Sequence, residues 1–333
     1  MSKKKVVILA TGGTIAGVGE AGADTGYVSG QIAGEELVTA VPEITDFADV
    51  VVEQFCNVNS DDMTDSLWLN LSRRIDEIAE RGILQNGSEQ PVDAFVITHG
   101  TDTMDETAYF LYLTLHTAKP VVLTGSMRPA TAKEPDGPAN LLGAVQSAVG
   151  FALEDEPAAN NVWVYFGGGV YDARLVQKCS ACELQPMGVH FPGDGAADAL
   201  EGQKDSCAPL QFDVSSLQEL PRVHVVYFAV DSNPRLLEFA ASISDGLVIA
   251  GAGSGEFSLP WSSALARIDI PVVVATRINH GFVTLNKNLA LSPEGVARVS
   301  AGTLPPQKAA VLLRLALTQT KNPAKLRRIF ERV

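Results

Sequence analysis

The chain has 333 residues, 46% hydrophobic and 19% charged, a globular balance with apolar material for a sizeable core and the reverse of a disordered composition. At roughly 100–200 residues per domain, that length suggests two domains or one large one. A net charge of −14 argues against a nucleic-acid partner, which needs clustered Lys and Arg, and against anionic membrane surfaces.

No apolar run approaches the roughly 20 residues that span a bilayer. At the N-terminus, Lys3, Lys4 and Lys5 imitate the basic start of a signal peptide, and Ala21-Gly22-Ala23 imitates a cleavage site. The apolar stretch 6–10 is cut at once by Thr11-Gly12-Gly13-Thr14. It falls short of the about 7–15 residues such a segment needs. Residues 5–11 therefore read as a first strand, and a cytoplasmic location is the expectation.

In chain order, apolar β-branched runs predict strands at 6–10, 50–55, 94–98, 121–124 and 162–166. Amphipathic stretches predict helices at 35–41, 65–80, 106–116 and 139–151. The alternation stops between about 189 and 221, a segment rich in Gly, Asp, Ala and Pro. It resumes with strands at 223–230, 247–250 and 272–275 and helices at 235–241, 307–317 and 324–332. Continuous apolar strands spaced by helices indicate a parallel sheet covered on both faces. The expected fold is α/β with two domains. A larger N-terminal domain (1–199) carries a parallel-type sheet flanked by helices; a linker (200–221) leads to a smaller C-terminal α/β domain (222–333).

Several strands run into small, polar or Gly-rich turns: ILATGGTIAG at 8–17, FVITHGTDTMDET at 95–107, VVLTGSMRP at 121–129 and VIAGAGSGE at 248–256. Ligands of open α/β sheets bind at the carboxyl ends of strands. Thr14, Thr101, Asp102 and Ser126 belong at one rim if their strands are neighbours.

The first turn lacks both GxGxxG and the Lys-Ser/Thr of a Walker loop. It reads as a tight strand–helix connection or as a turn bringing backbone and the Thr14 hydroxyl close to a ligand. A threonine nucleophile needs a base to activate it. In the second turn, Thr103 and Glu106 have capping-box spacing. That leaves Thr101-Asp102 unexplained, a hydroxyl beside a carboxylate that suits a polar ligand with an ammonium group. His99 has no G-x-S-x-G signature to support it and reads as structural. Lys178 reads as a surface lysine unless it is buried beside a threonine, where it would suit proton transfer. Ser60, Asp61 and Asp62 serve equally as an N-cap or as ligand contacts. Cys179-Ser-Ala-Cys182 has the CxxC spacing of metal or redox chemistry. No second CxxC or paired His supplies further ligands, so reduced cysteines are the expectation, as for Cys56 and Cys207.

Together, ATGGTIAG (10–17), ITHGTDTMDETAYFL (97–111), PVVLTGSMRP (120–129), DGPANLLGAV (136–145) and SAGTLPPQKAAVLLRLALTQTKNP (300–323) resemble the bacterial-type L-asparaginase family, in order over almost the whole chain. The resemblance implies a two-domain α/β enzyme that hydrolyses the side-chain amide of asparagine, often glutamine too. It also implies tetramers built from intimate dimers, and neither a cofactor nor a metal. Thr14 matches the nucleophile and Tyr27 the lid tyrosine that assists it. Thr101 and Asp102 match the second motif, with Lys178 the lysine that partners Thr101. Ser60 and Asp61 align with the pair holding the amino-acid head group, and Ser254 with a position reaching into a neighbouring subunit's site. By that resemblance Thr14 attacks, ammonia leaves and water releases aspartate. Thr101 and Lys178 serve proton transfer or water activation, and Asp102 pairs with the substrate ammonium.

Three departures bear on specificity. Asp61 stands where the family often has Gln, and Ser254 where many asparagine-preferring members have Asn; both point to dual glutaminase-asparaginase activity. The stretch 279–290 lacks the acidic residue that many secreted members supply from the partner subunit, a charge that Asp61 would replace. The disulfide of some periplasmic members has no visible counterpart.

Overall fold

In the computed structural model the described residues are 3–85, 87–154, 161–189, 210–283 and 287–332. They fall into two compact units, Met1–Val189 with Asp213–Ser216, and Leu217–Val333 with the stretch ending at Phe212.

The strands of the first unit are β1 (Lys4–Gly12), β2 (Ala48–Val58), β3 (Ile83–Gln85), β4 (Ser88–Gln90), β5 (Ala94–Thr98), β6 (Val121–Thr124), β7 (Val162–Phe166), β8 (Gly169–Asp172), β9 (Val176–Lys178) and β10 (Met187–Val189). Its helices are α1 (Gly34–Thr39), α2 (Ile44–Phe47), α3 (Asp65–Arg81), α4 (Met104–Thr114) and α5 (Gly137–Phe151). Six strands form one sheet in the order β2-β1-β5-β6-β7-β8, parallel except for the β7–β8 pair. Every residue of β5 and β6 is buried, as a sheet covered on both faces requires. Val6, Ile8, Val96 and Val122 pack with Leu37, Ile44, Leu141 and Val145 of α1, α2 and α5. By the two-residue period of a strand, Val7, Leu9, Phe95 and Ile97 face the other side. Trp68 of α3 and Phe110 of α4 stack with ring centroids 5.1 Å apart.

The second unit has a four-stranded parallel sheet, β11 (Val223–Tyr227), β12 (Gly246–Gly251), β13 (Val272–Thr276) and β14 (Arg298–Ser300), in sequence order. Its helices are α6 (Arg235–Ser242), α7 (Leu259–Leu265), α8 (Pro306–Gln319) and α9 (Pro323–Phe330). Its core gathers Leu237, Leu247, Ile249, Trp261, Val272 and Val274. Arg298 is buried at the start of β14, where its guanidinium donates to the carbonyls of Leu265, Ile268, Ile270, Leu291 and Ala297. Desolvation lowers its pKa to about 10.

The α/β architecture with a larger parallel-rich N-terminal sheet and a separate C-terminal parallel sheet agrees with the sequence reading. The elements it missed are the three- and four-residue strands β3, β4, β8, β9, β10 and β14 and the helices α2 and α7, of at most seven residues, too short to carry a clear period. The second strand runs 48–58 rather than 50–55, and the helix expected at 106–116 starts at Met104 and ends at Thr114. Of the expected linker, residues 200–209 lie outside the described residues, as does Cys207. Residues 210–221 form no helix or strand, yet Leu210, Phe212, Val214 and Leu220 are buried. Among the described residues no helix is long and apolar enough to cross a membrane.

Candidate active site

From β1 the chain crosses to β2 on one side, then reaches β5 on the other. The carboxyl ends of β1 and β5 therefore flank a topological switch point, where open α/β sheets bind ligands. The two threonine turns follow these strands.

The first turn is wedged between its neighbours. Gly12 and Gly13 have φ of 104° and 81°, in the region that favours glycine. A Cβ on Gly13 would lie 2.5 Å from the amide nitrogen of Gly100, and one on Gly12 2.6 Å from the Val58 carbonyl oxygen. The Gly13 amide donates to that carbonyl at 3.0 Å, and the Thr11 hydroxyl to the Thr98 carbonyl at 2.8 Å. The chain then makes a single 3-10 turn, Thr14–Ala16, with Ile15 and Ala16 buried and Thr14 half-buried. An excursion follows, held by an antiparallel bridge between Val18 and Val28. It returns Tyr27 over Gly17 and Gly19, where added Cβ atoms would approach its atoms to 2.8 and 3.1 Å. Tyr27 Oη and Thr14 Oγ1 share a hydrogen bond of 2.8 Å.

The second turn is clamped to the 3-10 turn Ser60–Asp62 that follows β2. Asp102 donates its amide to Ser60 Oγ at 3.2 Å, and Thr103 Oγ1 donates to the Ser60 carbonyl at 2.6 Å. The capping-box expectation is therefore corrected: Thr103 holds the N-cap position of α4 without capping it, because its hydroxyl serves Ser60. Nor do Ser60, Asp61 and Asp62 cap α3; Thr64 does, accepting from the Leu67 amide at 3.3 Å. Lys178, at the end of β9, donates from Nζ to Thr101 Oγ1 at 2.8 Å and to Asp102 Oδ1 at 2.6 Å. Its side chain is 16% exposed, so the surface-lysine reading gives way to one embedded beside a threonine. Thr101 is buried and directs its own hydroxyl at Met127 Sδ, 3.6 Å away.

His99 is fully buried beneath this turn. Its Nδ1 lies 2.7 Å from the Gly100 carbonyl oxygen and its Nε2 3.0 Å from Thr107 Oγ1, which accepts from Trp68 Nε1 at 2.9 Å. Desolvation lowers the His99 pKa to about 4 despite its bond to Gly100. The ring links the second turn to α3 and α4 as a neutral group. The loop after β6 is fixed by Asp136, which accepts from the amides of Met127 and Arg128 at 2.9 Å each and from Asn140 Nδ2 at 3.2 Å.

Between the turns lies a cavity of about 210 Å³ lined by Gly13, Thr14, Tyr27, Ser29, Asn59, Ser60, Asp61, Gly100, Thr101 and Asp102. Of the expected site residues it gathers Thr14, Tyr27, Ser60, Asp61, Thr101 and Asp102; Lys178 and Ser254 are not in the lining, nor is Ser126, which is buried with its hydroxyl donated to the Arg128 carbonyl at 2.7 Å. Ser254 belongs to the second unit, on an exposed turn after β12, where its hydroxyl donates to the Phe282 carbonyl at 2.7 Å. Sequence reasoning missed Ser29 and Asn59; their only signal is adjacency, two residues beyond Tyr27 and one before Ser60. Among the described residues no three His, Cys, Asp or Glu side chains are grouped to hold a metal ion. The arrangement offers two threonine hydroxyls, one bonded to a phenol and one to an ammonium, beside two carboxylates in a polar cleft.

A hydroxyl-lined cleft at the switch point of a parallel sheet defines a small-molecule α/β protein equipped for nucleophilic chemistry. Comparison with known proteins narrows the class. The family model "Asparaginase, N-terminal" matches residues 5–190, and "Glutaminase/Asparaginase C-terminal domain" matches 222–330. L-asparaginase 2 of Escherichia coli (strain K12) is 39% identical, covering 98% of this chain and 92% of that protein. A probable periplasmic L-asparaginase of Haemophilus influenzae is 38% identical with the same coverage. The crystal structure of a probable cytoplasmic L-asparaginase from Campylobacter jejuni superposes with a TM-score of 0.86 at 35% identity, covering 99% of this chain and 100% of that one. The protein belongs to the asparaginase family of amidohydrolases.

Proposed function

We propose that the protein hydrolyses L-asparagine to L-aspartate and ammonia with Thr14 as the nucleophile. The observation that carries this reading is the pairing of hydroxyls in one cleft: Thr14 with Tyr27 at 2.8 Å, and Thr101 with Lys178 at 2.8 Å. Thr14 Oγ1 attacks the side-chain amide carbonyl while Tyr27 takes part in moving its proton. Backbone amides of the Gly-rich turn are suitable donors to the developing oxyanion. Ammonia leaves, and water, activated from the Thr101–Lys178 side, releases aspartate from the acyl-enzyme. Ser60, Asp61 and Asp102 hold the amino-acid head group, the carboxylates facing its ammonium; Lys178 occupies one Asp102 oxygen.

The proposed halves are 1–199, with the main catalytic residues, and 222–333, joined by 200–221. The proposed assembly is a homotetramer of dimers in which Ser254, exposed between Gly253 and Gly255, reaches a neighbouring subunit's site. The proposed location is cytoplasmic, in keeping with the Campylobacter jejuni relative.

A second reading, comparable activity on L-glutamine, draws on Asp61 in the lining of the cleft. Measuring ammonia release from both amides tests the two together. Turnover of asparagine with a large preference in kcat/KM supports the first reading and removes the second. No release from asparagine contradicts both.

A further inference from the structure

The Cys179-Ser180-Ala181-Cys182 stretch plays no part in the proposed amide chemistry. Both cysteines are free and exposed. They lie in the loop of the β9–β10 hairpin, directly after Lys178, which pairs with Met187 across the hairpin. The amides of Cys179 and Ser180 both donate to the Pro186 carbonyl, at 2.7 and 3.2 Å, and close the loop. Within it, Ser180 Oγ accepts from the amides of Cys182 and Glu183 at 3.3 and 3.1 Å. That curls 180–183 and brings Cys182 Sγ to 3.8 Å from Ser180 Oγ. Cys179 Sγ packs over Gly188, where an added Cβ would lie 2.8 Å from the sulfur. Two accessible thiols thus share one curl, next to the lysine that holds Thr101. Cys56 is the contrast: it is partly buried, bonded to the Thr11 carbonyl at 3.4 Å, and its thiol is pushed up by burial to about 11.

We infer that Cys179 and Cys182 form a modification site for small disulfides, closing reversibly to a Cys179–Cys182 disulfide that displaces Lys178. The consequence for turnover rests on the amidohydrolase reading, in which Lys178 serves Thr101. The Cys182 thiol loses its proton to solvent and the thiolate attacks one sulfur of the small disulfide. That S–S bond breaks, one small thiolate leaves and takes up a proton, and Cys182 carries the other half as a mixed disulfide. Cys179, deprotonated in turn, attacks Cys182 Sγ and expels the second small thiolate, which also takes up a proton. The two cysteine sulfurs are oxidised to one disulfide, and the small disulfide is reduced to two thiols. Burial, and secondarily Asp105, raises the Cys179 pKa, and its sulfur packs over Gly188, so Cys179 is assigned the second, resolving attack. Closure needs Cβ atoms about 3.8 Å apart. In the proposed closure Cys179 swings off Gly188, and the adjacent Lys178 shifts from Thr101. Misplacing a reacting group by ~1 Å costs about a hundredfold in rate.

The test uses the full chain, first reduced, then incubated with oxidised glutathione and followed by intact mass, peptide mapping and ammonia release from L-asparagine. The expected product has lost two hydrogen atoms, carries the cross-link between Cys179 and Cys182, and has a kcat lower by roughly tenfold or more. Dithiothreitol restores it. Cys179→Ser and Cys182→Ser keep the basal kcat and lose the response. A lasting glutathione adduct without closure, or closure with unchanged kcat, overturns the proposal. A reduced protein that releases no ammonia refutes the amidohydrolase reading instead, while the mass measurement still decides whether the dithiol closes.

Discussion

Thr14 shares a hydrogen bond with a phenol and Thr101 accepts one from an ammonium, so each threonine hydroxyl of the cleft has its own proton-bearing partner. The sequence could not reveal this from local pattern. Lys178 lies 77 residues from Thr101 along the chain, and only the family resemblance joined them. His99 shows the opposite: a residue inviting a catalytic role is a fully buried strut between Gly100 and Thr107. Its pKa, lowered to about 4, keeps it neutral in the folded state at pH values where the unfolded chain takes up a proton. Its contribution to stability is therefore complete above the unfolded value near 6.5 and is lost as pH falls toward about 4. His99→Gln is expected to flatten the fall in stability across that window. Urea unfolding of both proteins at neutral pH and near pH 4.5 checks this; equal pH dependence contradicts it.

At the scale of elements, the cleft depends on glycine contacts between turns. Gly13 approaches Gly100 so closely that the two threonine turns interlock, and Thr103 ties α4 to the turn after β2. The sequence displayed the strands and Gly-rich turns because apolar runs and glycines are local signals. It misled on Thr103, where a capping spacing was outcompeted by a carbonyl 43 residues away. It was silent on β8 to β10, because three or four residues carry no period. Gly13→Ala places a Cβ 2.5 Å from a backbone nitrogen at a φ of 81°. With ψ at −175° that backbone lies in a region essentially confined to glycine, which costs another residue about 1–3 kcal/mol, and the clash pushes the turns apart. The expected outcome is a lower Tm together with a kcat reduced by at least roughly tenfold, since reacting groups lose their alignment. An alanine variant with native Tm and kcat would show that the interlock does not set the site.

At the scale of the molecule, the net charge of −14 acquires a narrower meaning. It argued against nucleic acid and anionic membranes. The proposed substrate is a zwitterion, which a distant net charge neither draws in nor repels strongly. On the proposed reading the charges that matter are local: Asp61 and Asp102 in the lining of the cleft, and Lys178 bonded to Asp102. Raising ionic strength from about 0.01 to 0.15 M shortens the screening length from about 30 to 8 Å. It is expected to change kcat/KM for L-asparagine by less than about twofold; a steep dependence would reveal steering by the global field. The two-part α/β plan was legible from the alternation of strands and helices and its break after about 189. The cleft's lining was less legible, because Ser29 and Asn59 enter it through the path of the chain rather than through any motif.

The central claim is that Thr14 is the nucleophile. The most direct measurement is ammonia release from L-asparagine by the wild-type protein and by Thr14→Ala, with matched circular dichroism and Tm to show that the fold is kept. The account predicts turnover by the wild type and a kcat at least about a thousandfold lower in the variant, because no other group takes over bond formation to the carbonyl carbon. A folded Thr14→Ala protein that releases ammonia at the wild-type rate would contradict it.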